Sequence, residues 1–351
     1  MTPTAYNGTY TVTAVSGNDV SYAKTGNPGS ATVMGTLLNY GSFELEAMVK
    51  TFFAQGTSTP VSVMEVGNVL VAAGVDVLEA YQLAHPDAFY GYLVPRLWAD
   101  APDYVTHVNA QTSNTAKTYY FTTVDSGNYT DFATMKSVAM FVEGSNIAAT
   151  EFVAAMGLYN FISHKLSQTS KMTSANFSFA YGLTEYDGTP TEKANWQTAN
   201  VSFIDSAAEG GLTNKMLRGG NFGDARPFSY WYAIDWAQIN SQLVLANEII
   251  NGSNNSANPL YYDQNGIERL QKRLVTLLDL GQTLGLIDFI PRNGDNPSLP
   301  DITAIPYIQY LRDFPSDVAA GAYNGLAVSF RVKGFFVTIT LNLIVTDFAT
   351  A

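Results

Sequence analysis

The segment Tyr119 to Lys165 reads Y-Y-F-T-T-V-D-S-G-N-Y-T-D-F-A-T-M-K-S-V-A-M-F-V-E-G-S-N-I-A-A-T-E-F-V-A-A-M-G-L-Y-N-F-I-S-H-K. Tyr119 to Val124 and Val138 to Glu143 are short apolar runs that read as strands. Ile147 to Lys165 reads as a helix. The same alternation continues upstream. Ser42 to Gln55 has a cap in Ser42, acids Glu44 and Glu46 at the positive end, and a stop in Gly56. Val61 to Val66 reads as a strand. Val69 to Ala84 is a helix pattern, interrupted or kinked near Gly74. Phe89 to Val94 is a strand closed by Pro95, and Ala101 to Thr112 a weak helix. Strands alternating with helices predict an α/β fold: a mixed, partly parallel sheet flanked by helices.

Downstream the signal is sparser. Phe177 to Tyr181 and Asn200 to Ile204 are strand candidates. Glu209-Gly210-Gly211 and Arg218-Gly219-Gly220-Asn221-Phe222-Gly223 read as turns. Phe228 to Ile250 is the longest helix pattern, with Trp236, Ile239, Leu243, Ala246 and Ile250 at three- and four-residue steps on one face. Asn251 to Pro259 reads as a loop. A helix from Ile267 to Leu284 follows, with Ile267, Leu270, Leu274 and Leu277 on one face. Pro291 to Pro306 reads as a loop, and Phe314-Pro315-Ser316-Asp317 as a turn.

Both ends of the chain carry strand patterns. Thr9 to Val15 is β-prone, and the cluster Ser16-Gly17-Asn18-Asp19 could return it as a hairpin through Val20 to Tyr22. Thr25 to Ser30 reads as a linker. At the other end, Val328 to Phe348 alternates with period two on either side of Gly334, a turn or bulge that shifts the parity. A terminal strand needs a neighbour for its backbone groups, in its own chain or in the next.

Composition restricts the function. The chain has 351 residues, 46% of them hydrophobic and 14% charged, a globular balance. Its formal net charge of −12 disfavours nucleic acid as the primary partner. With no cysteine, disulfides, thiol nucleophiles and thiolate zinc sites are excluded. No apolar run is long enough to span a bilayer, and no signal-peptide pattern opens the chain.

No catalytic, cofactor-binding or metal-binding set emerges, and no cofactor is expected. His85, His107 and His164 are the only histidines, none beside a second ligand at metal spacing. Gly219, Gly220 and Gly223 lack the order of a phosphate loop and read as a tight turn, across which Asp224 and Arg226 could pair. Asp235 and Glu248 form no adjacent pair. The aromatic cluster Phe228, Tyr230, Trp231, Tyr232 and Trp236 reads as a helix covered on several sides, with a sugar- or base-stacking platform as the alternative.

The phrase G-D-A-R-P-F-S-Y-W-Y-A-I-D-W-A-Q-I-N, followed by N-G-S-N-N and P-L-Y-Y-D-Q-N-G-I-E-R-L-Q, resembles the sheath-like proteins of contractile bacteriophage tails. The match lies in Asp235-Trp236 on one helix and Asn265-Gly266-Ile267 opening the next. Thr59 to Gly67, Asp87 to Pro95, Thr118 to Thr123, and the ending with Asp317, Tyr323-Asn324-Gly325 and Phe335 to Asp347 fit the same layout. The chain is shorter than large sheaths, and residues 1–30 match less well. The resemblance implies a non-enzymatic virion protein, assembled in the host cytoplasm, that stacks as rings around a tail tube and contracts. It further implies terminal β-arms exchanged between copies, with Tyr10, Val12 and Val15 at one end and Leu341, Leu343 and Val345 at the other. Implied partners are further copies, the tail tube protein, and baseplate and tail terminator proteins. The expected division is an arm and linker (1–30), an α/β region (31–170), an α+β sheath core (171–340) and a carboxyl arm (341–351). The rivals are a tube or terminator protein and a Rossmann-like nucleotide- or sugar-binding enzyme. The last requires a glycine-rich turn after the first parallel strand, of which Gly67-Asn68 is a poor version.

Overall fold

The computed structural model describes residues 12–16, 19–23, 25–26, 29–30, 40–66, 70–113, 116–206, 214–288 and 301–336. At its centre lie five strands, β3 (Gly91–Leu93), β4 (Tyr119–Thr123), β5 (Val138–Phe141), β6 (Val201–Ser206) and β7 (Lys215–Arg218), side by side in that order. β3 to β6 are parallel, and β7 runs antiparallel to β6. This is the mixed, mostly parallel sheet expected. β5 is an unbroken apolar run and β4 is buried from Tyr119 to Thr122 because helices cover both faces, with the buried Thr122 hydroxyl bonded to Tyr104.

Side chains alternate between the two faces. Phe121 and Phe141 join Phe52 of α1 (Tyr40–Ala54), Phe161 of α4 (Val153–Ile162) and Phe228 at the start of α6 (Phe228–Asn254). Tyr120 and Met140 point the other way, to Leu78 of α2 (Val71–Ala84) and Tyr104 of α3 (Pro102–Ala110). α5 (Pro190–Thr198) precedes β6. A third cluster packs α6 on α7 (Gln264–Thr283) and on two small antiparallel pairs. These are β8 (Ile287–Asp288) with β11 (Arg331–Val332), and β9 (Asp301–Ala304) with β10 (Leu326–Ser329). Two short helices, α8 (Tyr307–Asp313) and α9 (Pro315–Ala319), connect β9 to β10. Near the amino end, β1 (Val12–Ser16) and β2 (Asp19–Tyr22) form the expected hairpin.

The structure corrects several expectations. Residues 61–66 carry no strand, and among the described residues no neighbouring strand takes up their backbone groups. α2 runs unbroken through Gly74, which is chosen for contact: a Cβ there would lie 3.3 Å from the Trp98 ring. The helix expected from Ile147 begins only at Val153. Phe152 is extended, and two side chains take the first amides: Thr51 Oγ1 accepts Phe152 N at 3.0 Å and Glu143 Oε1 accepts Val153 N at 2.8 Å. α6 continues through the presumed loop to Asn254. α5, β7, β9 and α9 occupy stretches not read as elements or read as turns and loops. α5 had a legible signal: Thr189 and Glu192 form a reciprocal capping box around Pro190.

Two apolar patterns have different destinations from those expected. The strand running up to Gly334 divides at Phe330 and changes partner from β9 to β8. Leu326, Val328, Phe330, Val332 and Phe335 all pack on the third cluster, so this part belongs to its own subunit's core. On α6, Ile239, Leu243 and Ile250 are exposed, although their spacing suggested a buried face. The first half of the helix is instead buried on two sides, with Trp231 and Asp235 toward the central sheet and Ala233 and Ala237 in the third cluster.

Candidate functional site

The six residues assigned to strand exchange divide between described and undescribed parts of the chain. Val12 and Val15 lie on β1, opposite Tyr22 and Val20 of β2. Thr13 Oγ1 donates to Ser21 O at 3.1 Å, closing the hairpin further. Tyr10, Leu341, Leu343 and Val345 lie outside the described residues. Among the described residues, β1–β2, β8–β11 and β9–β10 are each sheets of only two strands. Such pairs keep open edges that can accept a further strand.

The interior is held by polar clamps that sequence reading missed. Asp235 is buried on α6, and its Oδ2 accepts from Tyr90 Oη at 2.9 Å and Tyr119 Oη at 2.7 Å. Burial raises the Asp235 pKa, although the two tyrosines and the charges of Lys136 and Lys117 pull it down. The buried Lys136 ammonium donates to Ser113 O at 2.9 Å and Ala116 O at 2.6 Å and stands 4.4 Å from the Trp231 ring. Burial lowers its pKa. Asp224 accepts from Arg226 N at 3.0 Å and Trp231 Nε1 at 2.8 Å. The pairing expected across that turn is therefore made by the backbone of Arg226, whose guanidinium lies over Tyr230.

Two ion clusters complete the framework. Glu248, buried on α6, receives Arg269 and Arg273 from α7, the latter through Nε at 2.7 Å. Asp235 and Glu248 thus serve separate contacts, with no dyad between them. Arg96 joins three elements: its Nε bonds Glu143 at 2.6 Å, its amide bonds Glu44 at 3.0 Å, and a terminal nitrogen bonds Glu151 O at 2.7 Å. Burial raises the Glu44 pKa against the pull of Arg96. No local spacing announces these clamps, since partners such as Tyr90 and Asp235 lie 145 residues apart.

The other chemical candidates resolve into structural roles. His85 closes α2 through its amide, bonded to Tyr81 O. His107 is buried between Glu79 Oε1 at 2.9 Å and Tyr120 Oη at 2.8 Å. His164 packs edge-on to the Tyr232 ring, and burial pushes its pKa down to about 4. Gly219 and Gly220 adopt positive φ, but their amides are taken by Asn176 Oδ1 and Ser202 Oγ, so they form no phosphate cradle. The first parallel strand, β3, leads through Val94 and Pro95 into a 3-10 turn, Arg96–Asp100, and not into a glycine-rich loop. Among the described residues no group of three or more His, Asp or Glu could hold a metal ion. Nor is any described helix long and apolar enough to cross a membrane.

One surface stands out beside these filled contacts. Residues 61–65 are exposed, including Val61, Val63 and Met64. Among the described residues, no backbone group of 61–66 bonds another backbone group.

No protein-family model and no curated protein matches the sequence. Solved structures do resemble it in fold. A chain of the anti-feeding prophage baseplate, from a six-fold symmetrised reconstruction, is 12% identical with a TM-score of 0.60; the match covers 89% of this chain and 82% of that one. A sheath tail protein from Listeria innocua is 13% identical with a TM-score of 0.45, over 70% of this chain and 58% of that one. The α/β fold described above is therefore shared with a chain of the anti-feeding prophage baseplate.

Proposed function

We propose that this chain is a structural subunit of a contractile phage-type tail, and within it a sheath protein. In this reading copies stack as rings around the tail tube and stay linked by exchanged strands. Their bodies re-pack on contraction and drive the tube through the host envelope. The observation that carries the reading is the division of the molecule. The five-stranded core is clamped internally, while among the described residues the strands near both ends occur in two-stranded sheets. The edges of such sheets can accept strands whose main-chain bonds hold while the bodies move. Tyr10, Val12 and Val15 are the candidate side chains of one arm, and Leu341, Leu343 and Val345 of the other. A repeating head-to-tail link of this kind builds rings and helices. The further partners are a tail tube protein, a baseplate and a terminator, and the location is the virion tail. Glu248, Arg96 and Lys136 are each engaged with partners inside the fold, which supports a non-enzymatic role.

A second reading, a baseplate or other tail component, is favoured by the fold it shares with a baseplate chain. Negative-stain microscopy of the purified protein separates them. Wide hollow cylinders are expected of a sheath and narrow ones of a tube. Monodisperse monomers, unchanged by added tail tubes, would refute the sheath assignment. Deleting residues 341–351 should leave folded subunits that no longer polymerise. Long cylinders from that deletion would remove the carboxyl arm from the mechanism.

A further inference from the structure

We infer that the aromatic ridge Phe177, Phe179 and Tyr181, with Arg218 beside it, is a contact surface for the outer face of α2 in a second copy of this chain. Residues 177–181 run along the outer side of β7. Phe177 N donates to Leu217 O at 2.8 Å, Phe179 bridges to Met216, and Ala180 N donates to Lys215 O at 2.9 Å. The Gln55 amide fixes the far end, bonding Tyr181 N at 3.1 Å and Tyr181 O at 2.8 Å. On this held backbone the three rings are 41%, 49% and 57% exposed. Phe177 also takes a φ of 69°, a left-handed conformation that strains a bulky residue. Strain of that kind concentrates at ligand and partner contacts. Aromatic rings beside an arginine are the side chains that dominate the energy of protein interfaces.

Charge selects the occupant. The Arg218 guanidinium lies 4.8 Å from the centre of the Phe177 ring, and its side chain is 32% exposed. Asp205 Oδ2 stands 3.7 Å from Nε, beyond hydrogen-bond reach, and the other Asp205 oxygen is bonded to Lys193 at 2.8 Å. Nε therefore has no acceptor among the described residues. A guanidinium oriented on a ring and lacking an acceptor recognises a carboxylate. The chain itself is rich in carboxylates, with 30 acids against 18 Lys and Arg. Asp76, exposed on α2, forms no hydrogen bond or ion pair among the described residues, and Val77 and Leu83 on the same helix are exposed. A carboxylate set among apolar side chains complements a cation set among aromatic rings. The two surfaces lie at opposite ends of the sheet. α2 is tied to β4 through Gln82 Nε2 and Tyr120 Oη at 2.9 Å, whereas the ridge lies beyond β7, more than three strand spacings of about 4.8 Å away. The contact therefore forms between copies, head to tail, and repeats without closing into a dimer. It rests on the proposed association of copies and adds which surfaces meet.

The test uses the full chain in sedimentation velocity. The wild type should associate with rising concentration, and added salt should weaken the association. Arg218→Glu and Asp76→Arg should each weaken it at least about ten-fold, and the two together should restore most of it. Tyr181→Ser serves as a second variant should Arg218→Glu disturb the fold. The Gln55 bonds go to the Tyr181 backbone, so this change should leave monomer melting unaltered and still weaken association. A wild type that stays monomeric at every concentration overturns the inference. So do variants that associate as the wild type does. A charge-exchanged pair no tighter than the single variants overturns it too, and would give the ridge a different occupant, such as another tail protein. Cylinders that persist in both single variants would remove this contact and leave the sheath reading standing. Charge-dependent rescue in a protein that forms no cylinders would uphold the contact and remove the sheath.

Discussion

Replacing Tyr119 by phenylalanine tests how α6 is fastened to the central sheet. Tyr119 is fully buried on β4, and its hydroxyl donates to Asp235 Oδ2 at 2.7 Å. A hydrogen bond to an ionised group contributes about 1.5–3 kcal/mol, and the phenyl ring preserves the packing. At neutral pH the variant should therefore lose about 2 kcal/mol, read from the urea midpoint at constant slope. The loss carries a pH signature. Burial raises the folded pKa of Asp235 above its ordinary 3.8. Between those values the folded chain holds a proton that the unfolded chain has released. This contribution to stability is therefore fully present below the ordinary value and is lost as pH climbs through the raised one, by at most about 1.4 kcal/mol per pH unit. Asp235→Asn removes this part of the slope. Tyr119→Phe withdraws a contact that lowers the pKa, so the decline should extend to higher pH than in the wild type. Other carboxylates also titrate there, so the informative quantity is the difference from Asp235→Asn at each pH. A loss below about 0.5 kcal/mol, with no change in that difference curve, would mean that the buried clamp does not fasten the helix.

Three further substitutions follow from contacts. Gly157→Ala would put a Cβ 2.0 Å from the fully buried Phe141 ring. Overpacking of this kind costs about 1–3 kcal/mol or more, and Phe141→Leu in the same chain should restore part of the melting temperature. Arg96→Ala strips the shared cation from the buried Glu44 and Glu143 carboxylates and should cost about 3–5 kcal/mol in urea unfolding, more than the loss from Lys50→Ala in the exposed Lys50–Glu46 pair. Thr189→Ala breaks the capping box of α5 and should cost about 1 kcal/mol; a neutral result would mean that this helix end frays regardless of its cap.

The alternation of short apolar runs with helix patterns was sufficient to identify the α/β layer. Burial on both faces selects Tyr119–Thr123 and Val138–Phe141 from local composition alone. The turn that closes β1 on β2 was legible for the same reason, since it acts over a few residues, whereas Ser42, read as a helix cap, lies inside α1. What the chain does with its apolar stripes was not legible. The period of Ile239, Leu243 and Ile250 identifies a helix face but not whether the subunit covers it, and tertiary packing buries two other sides of the first half of the helix. Residues 61–66 have the composition of a strand, but a strand exists only where a partner takes its hydrogen bonds, and among the described residues none does. Asp235, Glu248 and Arg96 likewise gained their roles from partners distant in sequence, brought close only by the fold. Period and composition depend on neighbouring residues, so the sequence by itself determined which segments could be strand or helix. Burial, pairing and charge compensation depend on residues far along the chain, so only the tertiary structure decided which faces were buried and which were not.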